Sequence, residues 1–545
     1  VNRIAVATIT CDEQEMPEKY ELMTLEVHRE LDKIPEAKLE LLDGDVAKGK
    51  FEVSAASHFA PGAKVEIKLS YGSDVPVPVF RGLVVRHTIS VGGEGGSLLR
   101  VELKDTTFKL TRGRKSAIYR ESSDKDAITK ALSEPTVKVD VDASQVPDGV
   151  TYPELVQYDA SDWDFIVSRA DVAGLLVNAH LGKIVLLPMA LGSTEHVLAY
   201  GKQISDFSLE IDATAQLGTL ESLGWDLAKH EVSEPEPASE PSLSFASTSS
   251  KTLAETIGAK KSTLVHIAAM SRDVLKGWVD ARLLRTRLSL VRGRAVVEGD
   301  TKYEPGHSAA FAGVGARFEG KALISAITHK IDHEGWQTEL GFGLSAEPFA
   351  RTPDIAELPA GGMLPPVHNL QLAKVAAFEA DPLGEHRIKI QLPALPPDQG
   401  VVWARFMHPD AGKERGFVFW PEAGDEVVVG FLGGDPGQPI VLGALHGKPT
   451  LPDHLAPSDK NDMRVIVSRG GSFIRFDDKK NQIVLSTPAG ATVTLDDDKK
   501  TIMLADQNGN GIELNDKGIT ITSAKDLTLE ASGKVVIKGT AVDVQ

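Results

Sequence analysis

Few side chains in this sequence are spaced for chemistry. His329 and His333, four residues apart, would share one face of a strand and could offer two imidazoles to a metal. No His-Glu-x-x-His arrangement supports them, and Cys11 is the only cysteine, which excludes thiolate zinc sites and an intrachain disulfide framework. Asp506, Asn508, Asn510 and Gly511 match the opening of an EF-hand loop, but Lys517 stands where the closing bidentate Glu is needed. A turn is the simpler reading. Gly92-Gly93-Glu94-Gly95-Gly96 is followed by neither a helix start nor a Lys-Ser/Thr pair, so it reads as a hairpin turn rather than a phosphate loop. No Gly-x-Ser-x-Gly elbow occurs. The expectation is a protein without catalytic residues, cofactor or metal.

The elements around these residues are mostly strands. Phe51, Val53 and Ala55 alternate with polar neighbours, as do Val65, Ile67 and Leu69, the period of half-buried strands. Ala295–Val297 and the pair Leu323–His329 and Gln337–Leu344 read the same way. Two helices interrupt the pattern. One is capped by Ser161-Asp162, carries Trp163, Phe165, Ile166, Val167 and Ala170 on its apolar side, and ends near Gly174. The other is expected over about 264–284, with Ile267, Met270, Val274, Leu275 and Trp278 on one face. Between them, residues 231–250 are rich in Pro, Ser and Glu and read as a flexible loop.

Breaker clusters divide the chain. Pro359, Gly361, Gly362, Pro365 and Pro366 mark a linker over 358–366, and Pro449, Pro452 and Pro457 mark another over 448–463. Between them lie five short strand candidates, Leu370–Phe378, His386–Leu392, Val401–Phe406, Glu426–Phe431 and Pro439–Leu445, which suggest a small OB-type barrel over 367–447. Residues 365–450 carry seven Lys/Arg against ten Asp/Glu, the wrong sign for a groove that tracks phosphates, so no nucleic-acid partner is expected.

Residues 464–545 hold an internal repeat. Ile474, Val493 and Ile512 are spaced by 19 residues, as are Phe476, Leu495 and Leu514, while Ile483, Ile502 and Ile519 follow at 19 and 17. Polar turns rich in Asp and Lys separate these positions. The period signals a stacked β array. A narrow single-chain ladder has little to bury its apolar face against, so the repeat predicts self-association with these nine residues in a common core.

Phe419–Pro452 closely resembles the signature of VgrG-type spike proteins of type VI secretion and of extracellular contractile injection systems. The likeness rests on the Phe-x-Pro-x-x-Gly-Asp-Glu-Val turn (Phe419 to Val427, with Gly424, Asp425 and Glu426), on Gly434-Asp435-Pro436, and on Pro439 to Gly443. Tyr158–Arg169, Ala281–Gly293 and Thr328–Gly341 resemble segments of the phage late-control protein D and baseplate-hub group. The resemblance implies a mainly β chain. It would comprise a hub over 1–357 of two related barrel-like domains with inserted helices, an OB-fold neck, and a trimeric triple-stranded β-helix, or β-prism.

The function implied is a non-enzymatic central spike and hub. A homotrimer would adapt a hexameric inner tube and baseplate to a membrane-puncturing needle directed at a target cell envelope. A tip protein of the proline-alanine-alanine-arginine repeat type would cap it, here expected at Ala541, Val542, Asp543, Val544 and Gln545, with effectors as possible cargo. Residues 447–464 leave no room for an inserted lysozyme domain, and no effector domain is expected after Gln545. A receptor- or carbohydrate-binding tail fibre is the alternative from another class, and an envelope-degrading hydrolase the remaining one. Residues 4–10 are too short an apolar run for an export signal, so synthesis in the cytoplasm and assembly into a phage-tail-like particle are expected.

The formal net charge of −18 excludes a basic-surface role such as nucleic-acid coating. It is unevenly placed. Residues 460–545 hold twelve Lys/Arg and twelve Asp/Glu, so the excess acid lies in residues 1–459.

Overall fold

The computed structural model describes the chain except residues 1–3, 46–47, 93–95, 134–137, 227–228, 230, 244–248, 267–269, 352–362, 364–365, 396–400, 448–454 and 456. Most of the two breaker clusters therefore lies outside the described residues. The chain divides into two compact units, Val1–Glu357 and Leu358–Gln545.

The first unit is built on one 13-stranded sheet. Alternation works as expected over Lys64–Tyr71, where Val65, Ile67 and Leu69 all face the core, and this strand pairs antiparallel with Ala5–Cys11 and Val77–Gly92. Val77–Gly92 and Gly96–Asp105 form the expected hairpin, with Gly92 opposite Gly96. The sheet joins two halves along one seam, where Leu22–Glu30 runs antiparallel to Lys321–Asp332. Each half has its own apolar core, one around Leu25, Leu39 and Val101, the other around Leu290, Ile324 and Leu340. A third core packs the helix Asp162–Val172 against Leu175–His180 and its neighbours.

Four expectations change. Phe51, Val53 and Ala55 do not form a strand; Glu52–Ala55 is a helical turn. The Asp43 carboxylate accepts hydrogen bonds from Val53 N at 3.0 Å and Ser54 N at 2.8 Å, taking up N–H groups that a helix start leaves free. The second helix runs over Arg272–Leu288 rather than from Leu264, because Ser271 caps it through Val274 N at 3.3 Å. Leu264 instead lies on the strand Lys261–Val265, paired with Thr219–Leu223. The inward face of the helix is Leu275, Val279 and Leu283; Met270 is exposed ahead of the cap, and Ile267 lies outside the described residues.

The Pro/Ser/Glu-rich segment is docked where it is described. Glu231–Val232 pairs with Trp225–Asp226, and Glu236–Pro237 pairs with Thr219–Leu223. Its acids find cations: buried Glu236 meets Arg272, and Glu240 takes both Nε and Nη2 of buried Arg287, at 2.7 and 3.0 Å. A bidentate Arg–carboxylate pair can hold a segment that has little apolar surface to bury. Finally, His329 and His333 do not share a strand face, since Lys321–Asp332 ends one residue before His333, in the hairpin turn.

The second unit begins with a closed barrel of β1 (Gln371–Val375), β2 (Ile388–Gln391), β3 (Val401–Phe406), β4 (Glu426–Phe431) and β5 (Pro439–Ala444). Neighbours are antiparallel except β3 and β5, which run parallel, and Val375, Ile390, Ala404, Val427, Val429 and Val441 fill the interior. A seven-stranded antiparallel meander follows: β6 (Met463–Val467), β7 (Phe473–Asp477), β8 (Gln482–Ser486), β9 (Thr492–Asp496), β10 (Thr501–Ala505), β11 (Gly511–Asn515) and β12 (Gly518–Thr522). From Ser523 to Gln545 the chain carries no strand or helix and its residues are exposed, apart from partly covered Ser523.

Candidate functional site

The meander gathers its repeat positions into two rungs on one face. Ile466, Ile474, Leu485, Val493, Leu504, Ile512 and Ile521 stand opposite one another from strand to strand. Two residues along, Phe476, Ile483, Leu495, Ile502, Leu514 and Ile519 do the same. Because side chains alternate across a strand, both rungs face the same way. Six of the nine expected core residues, Ile474, Phe476, Ile483, Leu495, Ile502 and Ile512, are 36–42% exposed in the single chain. Val493 and Leu514 are half-buried and Ile519 is more open still. A trough of about 850 Å³ runs along the first rung. A continuous apolar face of this length normally marks an interaction surface.

The turns explain the register. Asp477 opposes Gln482 and Asp496 opposes Thr501, enclosing four residues each, whereas Asn515 opposes Gly518 and encloses two. That difference of two residues is the change of spacing from 19 to 17. The first acid of each longer turn is structural: Asp477 Oδ1 accepts from Lys480 N at 3.1 Å, and Asp496 Oδ1 from Lys499 N at 2.9 Å. Asn515 Oδ1 does the same for Lys517 N at 2.8 Å. Asp506 also closes a turn. Hydrogen bonds from Asn510 and Asn508 occupy both its oxygens and hold its carboxyl down at about 2.

The barrel signature is likewise made of turns. Gly424 adopts φ +102° and its N–H donates to Val375 O at 2.8 Å, where Asp425 Oδ2 accepts from Glu422 N. Glu426 is exposed at the start of β4. Gly434 has φ +74°, and Asp435 Oδ1 accepts from Gly437 N at 2.7 Å across Pro436. Pro439 is buried opposite Phe431, and Gly443 opposes Val428 beside a bulge. These residues shape the barrel. Ala541, Val542, Asp543, Val544 and Gln545 are exposed, with Gln545 Nε2 3.3 Å from Asp543 Oδ2.

Buried arginines were not legible as functional residues. Arg285, on an otherwise apolar helix side, bonds Asp171 Oδ1 at 2.5 Å and Asp32 Oδ2 at 3.2 Å, tying two helices to the sheet. Burial raises the Asp32 carboxyl against the opposing pull of Arg285. Arg29 meets Glu304 at 2.7 Å on the seam, near His180 and His329, both held down at about 4 by burial. His329 Nδ1 lies 3.0 Å from Thr338 Oγ1. Among the described residues no three His, Cys, Asp or Glu side chains are grouped to hold a metal.

Three family models match the chain. Residues 2–333 match the Alg8 N-terminal domain, 371–446 the type VI secretion system/phage-baseplate injector OB domain, and 482–545 the phage baseplate V C-terminal trimerisation domain. Among curated relatives, the chain is 32% identical over 118 residues to the actin cross-linking toxin VgrG1 of Vibrio cholerae, covering 20% of this chain and 11% of that protein. It is 36% identical over 78 residues to the type VI secretion system spike protein VgrG1a of Pseudomonas aeruginosa, covering 14% and 12%. The matched stretches thus span about a tenth of these relatives. The 43 kDa tail protein of prophage MuSo2 from Shewanella oneidensis is 11% identical over 64% of this chain and 99% of its own, at TM-score 0.47, too slight a likeness to carry further weight.

Proposed function

This chain belongs to the family of the Alg8 N-terminal domain and to the spike-hub proteins of type VI secretion and phage baseplates, and on that premise we propose that three copies form the central spike and hub of a contractile injection system. One observation carries the reading. The two exposed apolar rungs lie in and beside the residues matched to the trimerisation domain, and three such faces turned inward would bury one another.

The boundaries proposed are a hub over 1–357, linkers over 358–366 and 448–463, a neck over 367–447 and a spike over 464–545. The nine repeat residues from Ile474 to Ile519 form the trimer core. Closing three meanders around an axis removes sheet edges, so thrust is shared over many backbone hydrogen bonds. The hub receives a hexameric tube and baseplate. Residues 541–545 receive a small tip protein of the proline-alanine-alanine-arginine repeat type. The work is mechanical puncture of a target envelope, with effectors as cargo, and needs neither catalytic residue nor cofactor. The particle assembles from cytoplasmic chains.

Light scattering on the purified full chain tests this. About three times the chain's 58.4 kDa is expected. A folded protein of monomer mass would overturn the reading.

A further inference from the structure

The barrel carries an apolar segment that its own fold does not use. After the short hairpin Ala411–Gly412 and Arg415–Gly416, the chain presents Phe417, Val418, Phe419 and Trp420 in succession, exposed by 54, 68, 57 and 40%. Four large apolar side chains in a row are unusual on a surface that meets only water. The last of them is also held in place. Trp420 packs edge-on against His408, with ring centres 4.9 Å apart, and His408 packs on Phe406 at 4.9 Å. Pro421, next in line, is buried. A fixed aromatic loses little entropy when covered, as interface anchors do.

The segment continues the trimer face. Phe419 lines the same 850 Å³ trough as Ile466, Phe473, Ile474 and Leu485. Beside it, Arg469 from the turn between β6 and β7 meets Glu422 at 2.8 Å, tying barrel loop to meander. Whatever covers the first rung at this end must also cover Phe419.

We propose that Phe417–Trp420 is an inter-subunit clasp, covered by a second copy of this chain so that the trimer interface extends from the meander onto the barrel. The inference rests on the trimeric reading above. It also assigns the aromatic segment before the Gly424 turn a role that barrel folding does not require.

Cysteine labelling of the full chain tests it. Cys11, the only native cysteine, is buried with its thiol pushed up to about 11, so an introduced cysteine dominates the reaction. In protein of trimer mass, Phe419→Cys should react with a maleimide at least about tenfold more slowly than Glu385→Cys on an exposed barrel turn, and the two rates should converge on dissociation. Equal rates in a trimer would overturn the clasp and leave the trimer standing. A monomer mass would remove both. Slow labelling that persists after dissociation would place the segment against its own chain and overturn the clasp. A second variant avoids the probe: Phe417→Ser with Phe419→Ser should speed subunit exchange between differently tagged trimers about tenfold or more, and unchanged exchange would refute the contact.

Discussion

In the Val1–Glu357 unit, Leu25, Val27, Leu39, Ile67, Leu99 and Val101 are covered by their own chain, and ion pairs such as Arg285 with Asp32 and Asp171 are formed elsewhere within the same unit. In the meander β6–β12 the only buried described residues are Val484, Asp477 and Asp496, two of them turn acids. Both regions have alternating strands, yet one completes its core within the chain and the other leaves its apolar face open. The difference follows from layers. A sheet needs a second layer to bury against; the Val1–Glu357 unit has other sheets and helices to supply it, and on the proposed trimer the meander would find it in further copies. Damage to the hub should therefore be read within one chain, and damage to the meander should be read as assembly.

The largest effect should come from Leu495→Asp. In a trimer it brings three carboxylates into an apolar core, each unpaired charge costing about 3–5 kcal/mol. The variant should lose trimer mass in light scattering while Val1–Glu357 stays folded by tryptophan fluorescence, since four of the six tryptophans, Trp163, Trp225, Trp278 and Trp336, lie in that unit and only the barrel's Trp403 and Trp420 lie outside it. An unchanged melting temperature and mass would break the comparison at its root.

Acid should do the reverse. His180 and His329 are held at about 4 in the folded hub by burial, against about 6.5 unfolded. Between these values the unfolded chain binds more protons, so hub stability is full above about pH 6.5 and falls toward pH 4. Each histidine contributes a slope of about 1.4 kcal/mol per pH unit. Residues 455–545 contain no histidine, so the meander lacks this term. Denaturation followed by tryptophan fluorescence should weaken over that window, and His180→Gln with His329→Gln should flatten the slope. A slope that survives both substitutions would locate the sensitivity elsewhere.

Arg285→Ala ranks next. It strands Asp32 and Asp171 in the interior, where breaking a buried pair costs about 3–5 kcal/mol. Hub melting should fall while the trimer mass is kept; loss of the trimer would show that hub and meander are not independent in this sense.

What was legible in the chain follows the same division. The repeat was readable because period-2 alternation and a spacing of 19 survive without any knowledge of partners. The barrel strands were readable from their turns, and the first helix from Ser161, whose Oγ accepts from Asp164 N at 3.0 Å. Errors fell where distant groups decide local structure. Val53 alternates like a strand residue, but Asp43, ten positions away, turns the segment into a helix. Leu264 has helical spacing to later apolar residues, yet it pairs with Ser222 on a parallel strand. Glu240 sits in a composition typical of disorder, and its ordering partner, Arg287, lies 47 residues on. Burial of Arg285 and Arg287 could have been suspected from their place beside Leu283 and Leu288, but the acids that receive them are not local.

The smallest effects belong to the turns, and they should carry opposite signs. Lys500 adopts φ +52° in a four-residue turn, a conformation that costs a side chain about 1 kcal/mol and glycine little. Lys500→Gly should leave the meander as stable or slightly more so, because relief of strain offsets the entropy that glycine adds to the unfolded chain. Gly518 sits at φ +125° in the two-residue turn, a region that residues with a Cβ rarely enter, although nothing lies within 4 Å of the position a Cβ would take. Gly518→Ala should therefore destabilise by about 1 kcal/mol per chain through backbone strain alone. Far-UV circular dichroism of the full-length trimer reads both, and in an assembled needle each change acts three times. If Gly518→Ala were neutral, the tight turn would not set the register of β11 and β12, and the 17-residue spacing would need another cause.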